Sequence, residues 1–349
     1  MSRELALPTI GDDDGLLRIE ACGLCGTDHE QYTGHVPAGF AFIPGHESVG
    51  VIEEIGDRAA ERWGVKAGDR VAVEVFQSCR ECDECLAGLY RRCVRHGMGD
   101  MYGFVDVTRP PGLWGGYAAY QYLAPDSMLL PLPANLDPVH ATLFNPLGAG
   151  IRWTTTVGGA GEGDIVVVLG PGVRGLSACV AAKEAGAAFV AITGVGPRGR
   201  ARLALASRFG ADLAIDVSVE SPAKALRAAT GGRLADVVVD VTAKAPEALG
   251  QAVSLARTGG TVVLAGIRAS SDTPGFMPDH VVYKELHLVG VLGVDVTAYR
   301  AAIELLTSGR WPFEELPRRS AGFDDAEMLL QTMAGDIDVE PPVHAVFVP

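Results

Sequence analysis

The chain has 349 residues, 48% apolar and 21% charged, with 29 basic against 43 acidic side chains and a formal charge of −14. Its length calls for two cores, because single cores seldom outgrow roughly 250–300 residues. The negative balance argues against a nucleic-acid backbone or an anionic membrane as partner, since both recruit Lys and Arg. Residues 1–21 carry Asp12, Asp13 and Asp14 and no apolar run long enough for a signal peptide or a membrane span, which predicts a cytoplasmic protein.

Residues 16–21 alternate as a strand and lead into Cys22-Gly23-Leu24-Cys25-Gly26-Thr27-Asp28. Pro44-Gly45-His46-Glu47 follows, so a thiolate, a hydroxyl, an imidazole and a carboxylate fall between positions 25 and 47. These are ligand types that Zn²⁺ takes at a catalytic site with one position left open. A lone buried Cys is more often a small core residue; the clustering argues otherwise here. The β-branched runs 48–56 and 69–75, bounded by Gly, read as strands, so the first part of the chain is mostly β.

Cys79-x-x-Cys82-x-x-Cys85 followed by Cys93 is the strongest metal signal. Four thiolates close a tetrahedral zinc shell, and a closed shell is structural. An iron–sulfur cluster is the alternative for the same ligands. Four of the seven cysteines lie in this one lobe, a spacing that in a reducing compartment means metal rather than disulfides. Residues 115–123 look like a further strand, Leu130-Pro131-Leu132-Pro133 breaks the pattern, and 140–153 turns helical, with Pro146 starting or kinking the helix. A domain boundary is expected near this point.

Residues 164–169 form an apolar strand of the kind buried on both faces of a parallel sheet. It runs into Gly170-Pro171-Gly172-Val173-Arg174-Gly175 and then an Ala-rich helix to about 185. Directly between strand and helix, this spacing lets backbone approach a dinucleotide pyrophosphate resting on the helix N-terminus. The second strand, 189–193, ends in Gly194-Val195-Gly196-Pro197-Arg198-Gly199-Arg200. Where NAD-binding folds place a carboxylate for the ribose 2′-hydroxyl, this stretch has Gly194 and two guanidiniums. NADP is therefore the better fit, NAD remaining possible; the other reading is that Arg198 and Arg200 cap a solvated helix start.

Helices at 202–209, 222–229 and 246–256 alternate with strands at 213–216, 236–241, 261–267 and 286–291, which predicts a doubly wound parallel sheet. Helices at 298–306 and 324–333 and a strand at 343–348 are too short for a domain and are expected to pack back on the first one.

In this order, the 22–28 stretch, Gly45-His46-Glu47, Gly68-Asp69-Arg70-Val71, the four-cysteine lobe and the 170–175 loop resemble the zinc-containing medium-chain alcohol and polyol dehydrogenases over nearly the whole chain. The resemblance implies an α/β protein: a chaperonin-10-like β domain (1–143 with 293–349) carrying the catalytic site, and a Rossmann domain (144–292), with the active site in the cleft between them. It implies two zinc ions per chain, a small alcohol or carbonyl substrate, and a homodimer or homotetramer. Cys25 and His46 match the family's first two catalytic ligands, Glu47 a carboxylate that ligates zinc in some members, and Thr27 the hydroxyl that passes the substrate proton. Cys22 and Cys179 match core positions.

Three departures stand out. Asn145 occupies the place of a third ligand or nearby acid, which shifts weight to Glu47. Glu30 stands where many members have a relay His, with His29 beside it. The chain also begins late by about one strand, which predicts that an opening strand of the β domain is missing. Two other readings follow from these residues: a nucleotide-binding protein of the same fold without the chemistry, and a reductase working from carbonyl to alcohol. Trp114, Phe144 and Trp311 are the aromatic candidates for a substrate pocket.

Overall fold

A computed structural model describes residues 3–35, 41–243, 245–268 and 272–349. Its contacts divide the chain into two units, Met1–Phe144 with Phe313–Pro349, and Asn145–Pro312. Among the described residues the first unit opens with β1 (Gly15–Gly23), β2 (Ser48–Ile55), β3 (Arg70–Val73), β4 (Tyr120–Leu123) and β5 (Leu129–Pro131). The second carries β6 (Ile165–Leu169), β7 (Phe189–Gly194), β8 (Leu213–Asp216), β9 (Ala235–Asp240), β10 (Ala256–Leu264) and β11 (His287–Gly290). β12 (Arg318–Ala321) and β13 (His344–Phe347) return to the first unit.

The first unit is a sheet of order β12-β13-β1-β2-β3-β5, with β4 also on β1. Among the described residues, β12 and β13 are the one parallel pair of this sheet. Leu17, Ile19, Ile52, Val71, Val73, Tyr102 and Leu123 close its core. The antiparallel register sets Cys22 opposite Ser48. That single pairing explains why two motifs some twenty residues apart meet: the end of β1 delivers Cys25 beside the start of β2, where His46 and Glu47 stand.

The second unit is a parallel sheet of order β11-β10-β9-β6-β7-β8. Its apolar strands are buried, as two-faced packing demands. Counted from β6, this is the doubly wound order 3-2-1-4-5-6, whose switch point lies at the end of β6.

Several expectations change. Of 115–123 only Tyr120–Leu123 is strand, because Gly116 and Tyr117 donate to the carbonyls of Gly45 and Pro44 instead of a ladder. A Cβ on Gly115 would stand 1.9 Å from the Ile43 carbonyl oxygen. The 140–153 helix is two, Pro138–Ala141 and Phe144–Ile151, followed by a π-helical turn, Arg152–Val157. The helix after β7 begins at Gly196, so Arg198 and Arg200 lie inside it. The return to the first unit comes at Phe313 rather than at 293. Helix Val296–Thr307 stays with the second unit because Tyr299 fills the space over Gly148, Arg152 pairs with Asp295 at 2.9 Å, and Trp153 Nε1 donates to the Gly293 carbonyl. Among the described residues no helix is long and apolar enough to cross a membrane.

Candidate active site

Cys25 caps the helix Gly26–Tyr32 in extended conformation. Its Sγ accepts from the Thr27 N–H at 3.5 Å, and the Thr27 hydroxyl lies at the same distance. The Cys25 N–H donates to Asp28 Oδ2 at 2.8 Å, completing a reciprocal cap. A ligand atom from each of Cys25, His46 and Glu47 lies within 4.8 Å of the other two, and all three residues are buried. Glu47 is packed hard against β1: a Cβ on Gly23 would meet its Oε2 at 2.3 Å. The ring of Phe104 lies beside His46, centroids 5.7 Å apart.

Asp28, 1% exposed, is the carboxylate behind this cluster. Its Oδ1 lies 3.4 Å from His46 Nδ1. That pair is within ionic reach but outside hydrogen-bond geometry, and both atoms lack a hydrogen-bond partner. Burial opposes charge on both groups, yet their mutual attraction wins: His46 is raised well above its ordinary pKa and Asp28 is held below its own. A thiol, an imidazole and a carboxylate buried this close form a donor set that a divalent cation fits, because the ion compensates charges that are otherwise costly to bury.

Beyond Thr27, Glu30 stands between two imidazoles, 3.9 Å from His29 Nδ1 and 3.6 Å from His35 Nδ1. His29 Nε2 meets Asp336 at 2.6 Å. Of the aromatic pocket candidates, Trp114 packs between Tyr102 and Tyr122, Phe144 is fully buried, and Trp311 donates to Glu184.

Cys79, Cys82, Cys85 and Cys93 likewise bring their sulfurs within 4.8 Å of one another. All seven cysteines are free of disulfides. The N–H of Cys82, then that of Glu81, lowers the Cys79 pKa to about 6, while burial raises Cys85 to about 11. A pocket that holds one sulfur as thiolate, with three more around it, fits a metal with a closed thiolate shell.

In the second unit Gly170 adopts φ +105°, and Gly172 caps the helix Val173–Glu184 without a side-chain bond. Val173 and Arg174 open that helix. A Cβ on Gly175 would stand 1.8 Å from the Gly170 carbonyl oxygen, so strand and helix approach as only glycine permits. The N-terminal N–H groups of this helix, with no side chain capping them, suit an anionic cofactor group. Asn145 lies in this unit, and both ends of its amide are engaged there: Nδ2 donates to the Tyr299 hydroxyl at 2.9 Å, and Oδ1 accepts from Arg174 at 3.1 Å.

At the end of β7, Gly194 pairs in register with Asp216 of β8. The sequence reading found no carboxylate in this region; strand pairing supplies one. Arg200 donates to Asp216 at 2.8 Å, and hydrogen bonds from Ser218, then the Arg200 charge, hold Asp216 at about 2. Asp28, Phe104 and Asp216 were not singled out from sequence. For Asp28 the signal was available, since an acid three residues after a Cys that caps a helix is a capping-box pattern.

The alcohol dehydrogenase GroES-like domain model matches residues 11–134, and the zinc-binding dehydrogenase model residues 174–308. The chain is 65% identical over 348 residues to the "Probable alcohol dehydrogenase" of Mycobacterium tuberculosis (strain H37Rv), covering 99% of this chain and 95% of that one. It is 33% identical over 331 residues to the "Probable D-xylulose reductase A" of Arthroderma otae, covering 93% and 88%. Among solved structures it is similar to a protein of Sinorhizobium meliloti 1021, assigned as a zinc-binding dehydrogenase and bound to NADP, with a TM-score of 0.83 and 27% identity over 99% of this chain and 95% of that one. Two domain models in this order, and identity that runs through both units, show that the chain belongs to the zinc-containing medium-chain alcohol dehydrogenase family and is an alcohol dehydrogenase-type oxidoreductase.

Proposed function

We propose that the protein is a zinc-dependent, NADP-preferring dehydrogenase that interconverts a small alcohol or polyol and its carbonyl compound. The observation that carries this reading is the buried convergence of Cys25, His46 and Glu47 beside Thr27. Zinc, held there by those three side chains, would supply Lewis acidity that lowers the pKa of a substrate hydroxyl, and a nicotinamide dinucleotide would supply the hydride acceptor.

The rest falls to the chain. Asp28 orients His46 and, through the Cys25 N–H, fixes the thiolate. The Thr27 hydroxyl takes the substrate proton, a role for which its place beside Cys25 suits it. Phe104 gives one wall next to His46 an apolar surface that helps exclude water. Gly170, Gly172, Val173, Arg174 and Gly175 receive the dinucleotide at the head of their helix, and Gly194, Arg198 and Arg200 form the side that selects its ribose. Cys79, Cys82, Cys85 and Cys93 hold a second, structural zinc. We also propose that the chain works as a homodimer or homotetramer in the cytoplasm, following the family resemblance.

The test is an absorbance screen at the reduced-nicotinamide band, pairing NAD and NADP with simple alcohols, diols, polyols and aromatic alcohols. Turnover with one of these classes, faster with NADP, is expected. No turnover in either direction with any pairing contradicts the reading.

A further inference from the structure

Asp240 closes β9 and is fully buried. Its strand lies between β6 and β10, and Asp240 stands in register with Leu169 on one side and Leu264 on the other. A carboxylate therefore sits beside the strand end from which the glycine loop leaves. Its Oδ1 accepts the Thr242 N–H at 3.0 Å and the Thr242 hydroxyl at 2.6 Å. Its Oδ2 accepts from the guanidinium of Arg268, whose Nε donates to the Ala245 carbonyl at 3.1 Å. The Asp240 carbonyl takes the N–H groups of Ala265 and Gly266, each at 3.0 Å. One residue thus ties Thr242 and, through Arg268, Ala245, which follow β9, to Ala265, Gly266 and Arg268, which follow β10. The approach is close: a Cβ on Gly266 would stand 1.8 Å from the Thr242 carbonyl oxygen. Thr242 in turn rests on the glycine loop, its Cγ2 lying 3.1 Å from the point a Cβ would occupy on Gly170.

We infer that the buried Asp240–Arg268 pair is a positioning device for the nicotinamide half of the dinucleotide, holding Thr242 against the first glycine of the loop. The inference rests on the dinucleotide reading above and adds residues that shape the far side of that site. In a doubly wound sheet the ligand lies at the strand ends where the order reverses, here between β6 and β9. The adenosine ribose goes to the end of the second strand, β7, and the pyrophosphate to the head of the helix after the loop. The other half is left the β9 side, where Thr242 stands. The chemistry of the pair favours placement over stability, because ion pairs taken out of water gain little over uncharged replacements. What the pair supplies is geometry: one guanidinium fork reaches Asp240 and the Ala245 carbonyl together and so sets the spacing of the two segments.

Fluorescence titration of the full chain with NADPH, beside calorimetric titration with 2′,5′-ADP, separates the two halves and needs no turnover. NADH and 5′-AMP are run in parallel, so the result holds for either dinucleotide. Arg268→Gln should weaken dinucleotide binding by about tenfold, the worth of one hydrogen bond to a charged group, with the adenosine probes unchanged. Asp240→Asn/Arg268→Gln, which rebuilds the contact between neutral amides, should recover most of that loss. Thr242→Val, in which both charges stay paired, should weaken the dinucleotides several-fold and again spare the adenosine probes. Unchanged dinucleotide binding in Arg268→Gln or in Thr242→Val, equal weakening of dinucleotides and adenosine probes, or a double variant no better than Arg268→Gln overturns the inference. A wild type that binds neither dinucleotide refutes the dinucleotide reading and the inference together, a result distinct from any of these.

Discussion

Asp28 Oδ1 lies 3.4 Å from His46 Nδ1 while its Oδ2 accepts the Cys25 N–H at 2.8 Å, so one buried carboxylate fixes two of the three proposed metal ligands. An imidazole held by a carboxylate is a better-oriented and more basic ligand. Asp28→Asn keeps the helix cap but weakens this hold, and should cost about 10–100-fold in metal affinity at the catalytic site. Chelator competition, followed by metal content, measures this. Unchanged affinity contradicts the role given to Asp28.

Gly23→Ala tests whether Glu47 needs its present place. The new methyl would stand 2.3 Å from Glu47 Oε2 and must displace it. The expected protein keeps the four-cysteine zinc, loses most of the second ion, and loses about 1–3 kcal/mol of stability through overpacking. Two ions bound in Gly23→Ala would show that Glu47 placement is not required.

Asn145 sits where the family resemblance puts a third ligand, yet its amide is divided between Tyr299 and Arg174. Asn145→Ala should leave zinc content unaltered and weaken dinucleotide binding, since Arg174 loses the hydrogen bond to Asn145 that helps place it on the glycine-loop helix. Metal analysis and fluorescence titration with NADPH separate the two. Loss of an ion in this variant would make Asn145 a ligand after all.

His344 gives the first unit a pH-dependent stability. Its Nδ1 accepts from Arg318 at 3.0 Å; its Nε2 meets the Thr142 hydroxyl, which itself donates to the Val139 carbonyl, so Nε2 must carry the proton. Burial, then the charge of Arg318, push His344 to about 3. The unfolded chain binds a proton near the ordinary histidine value and the folded chain does not. Stability is therefore full above about pH 6.5 and declines toward pH 3 by about 1.4 kcal/mol per unit for one group. His140, lowered by burial and Arg318, adds in the same direction. His344→Gln, which can mimic both bonds, should flatten the denaturant midpoint between pH 7 and 5. An equally steep dependence in that variant contradicts the assignment.

The two clusters of potential metal ligands, the glycine loop and the alternation of the parallel sheet were legible in the sequence because each rests on local spacing or on unbroken apolar runs. What could not be read depends on pairing across the chain. Asp216 enters the cofactor region only because β8 aligns it with Gly194. Residues 115–119 carry a strand-like composition, but the carbonyls of Gly45 and Pro44 take the N–H groups of Gly116 and Tyr117. Helix Val296–Thr307 shows its amphipathic pattern plainly, while its unit is decided by Tyr299 over Gly148, a contact across some 150 positions. The helix Gly26–Tyr32 was hidden by its length, seven residues stabilised by the Cys25–Asp28 cap rather than by propensity.

The central claim is that a catalytic ion held by Cys25, His46 and Glu47 is required for turnover. The direct measurement compares metal content, NADPH binding and turnover in the wild type, in Cys25→Ser, and in wild type stripped of its more labile ion by chelation. The account predicts close to two zinc ions in the wild type, one in the other two samples, cofactor binding in all three, and turnover only in the first, restored to the stripped protein by added Zn²⁺. Turnover that persists in the stripped protein or in Cys25→Ser would contradict it.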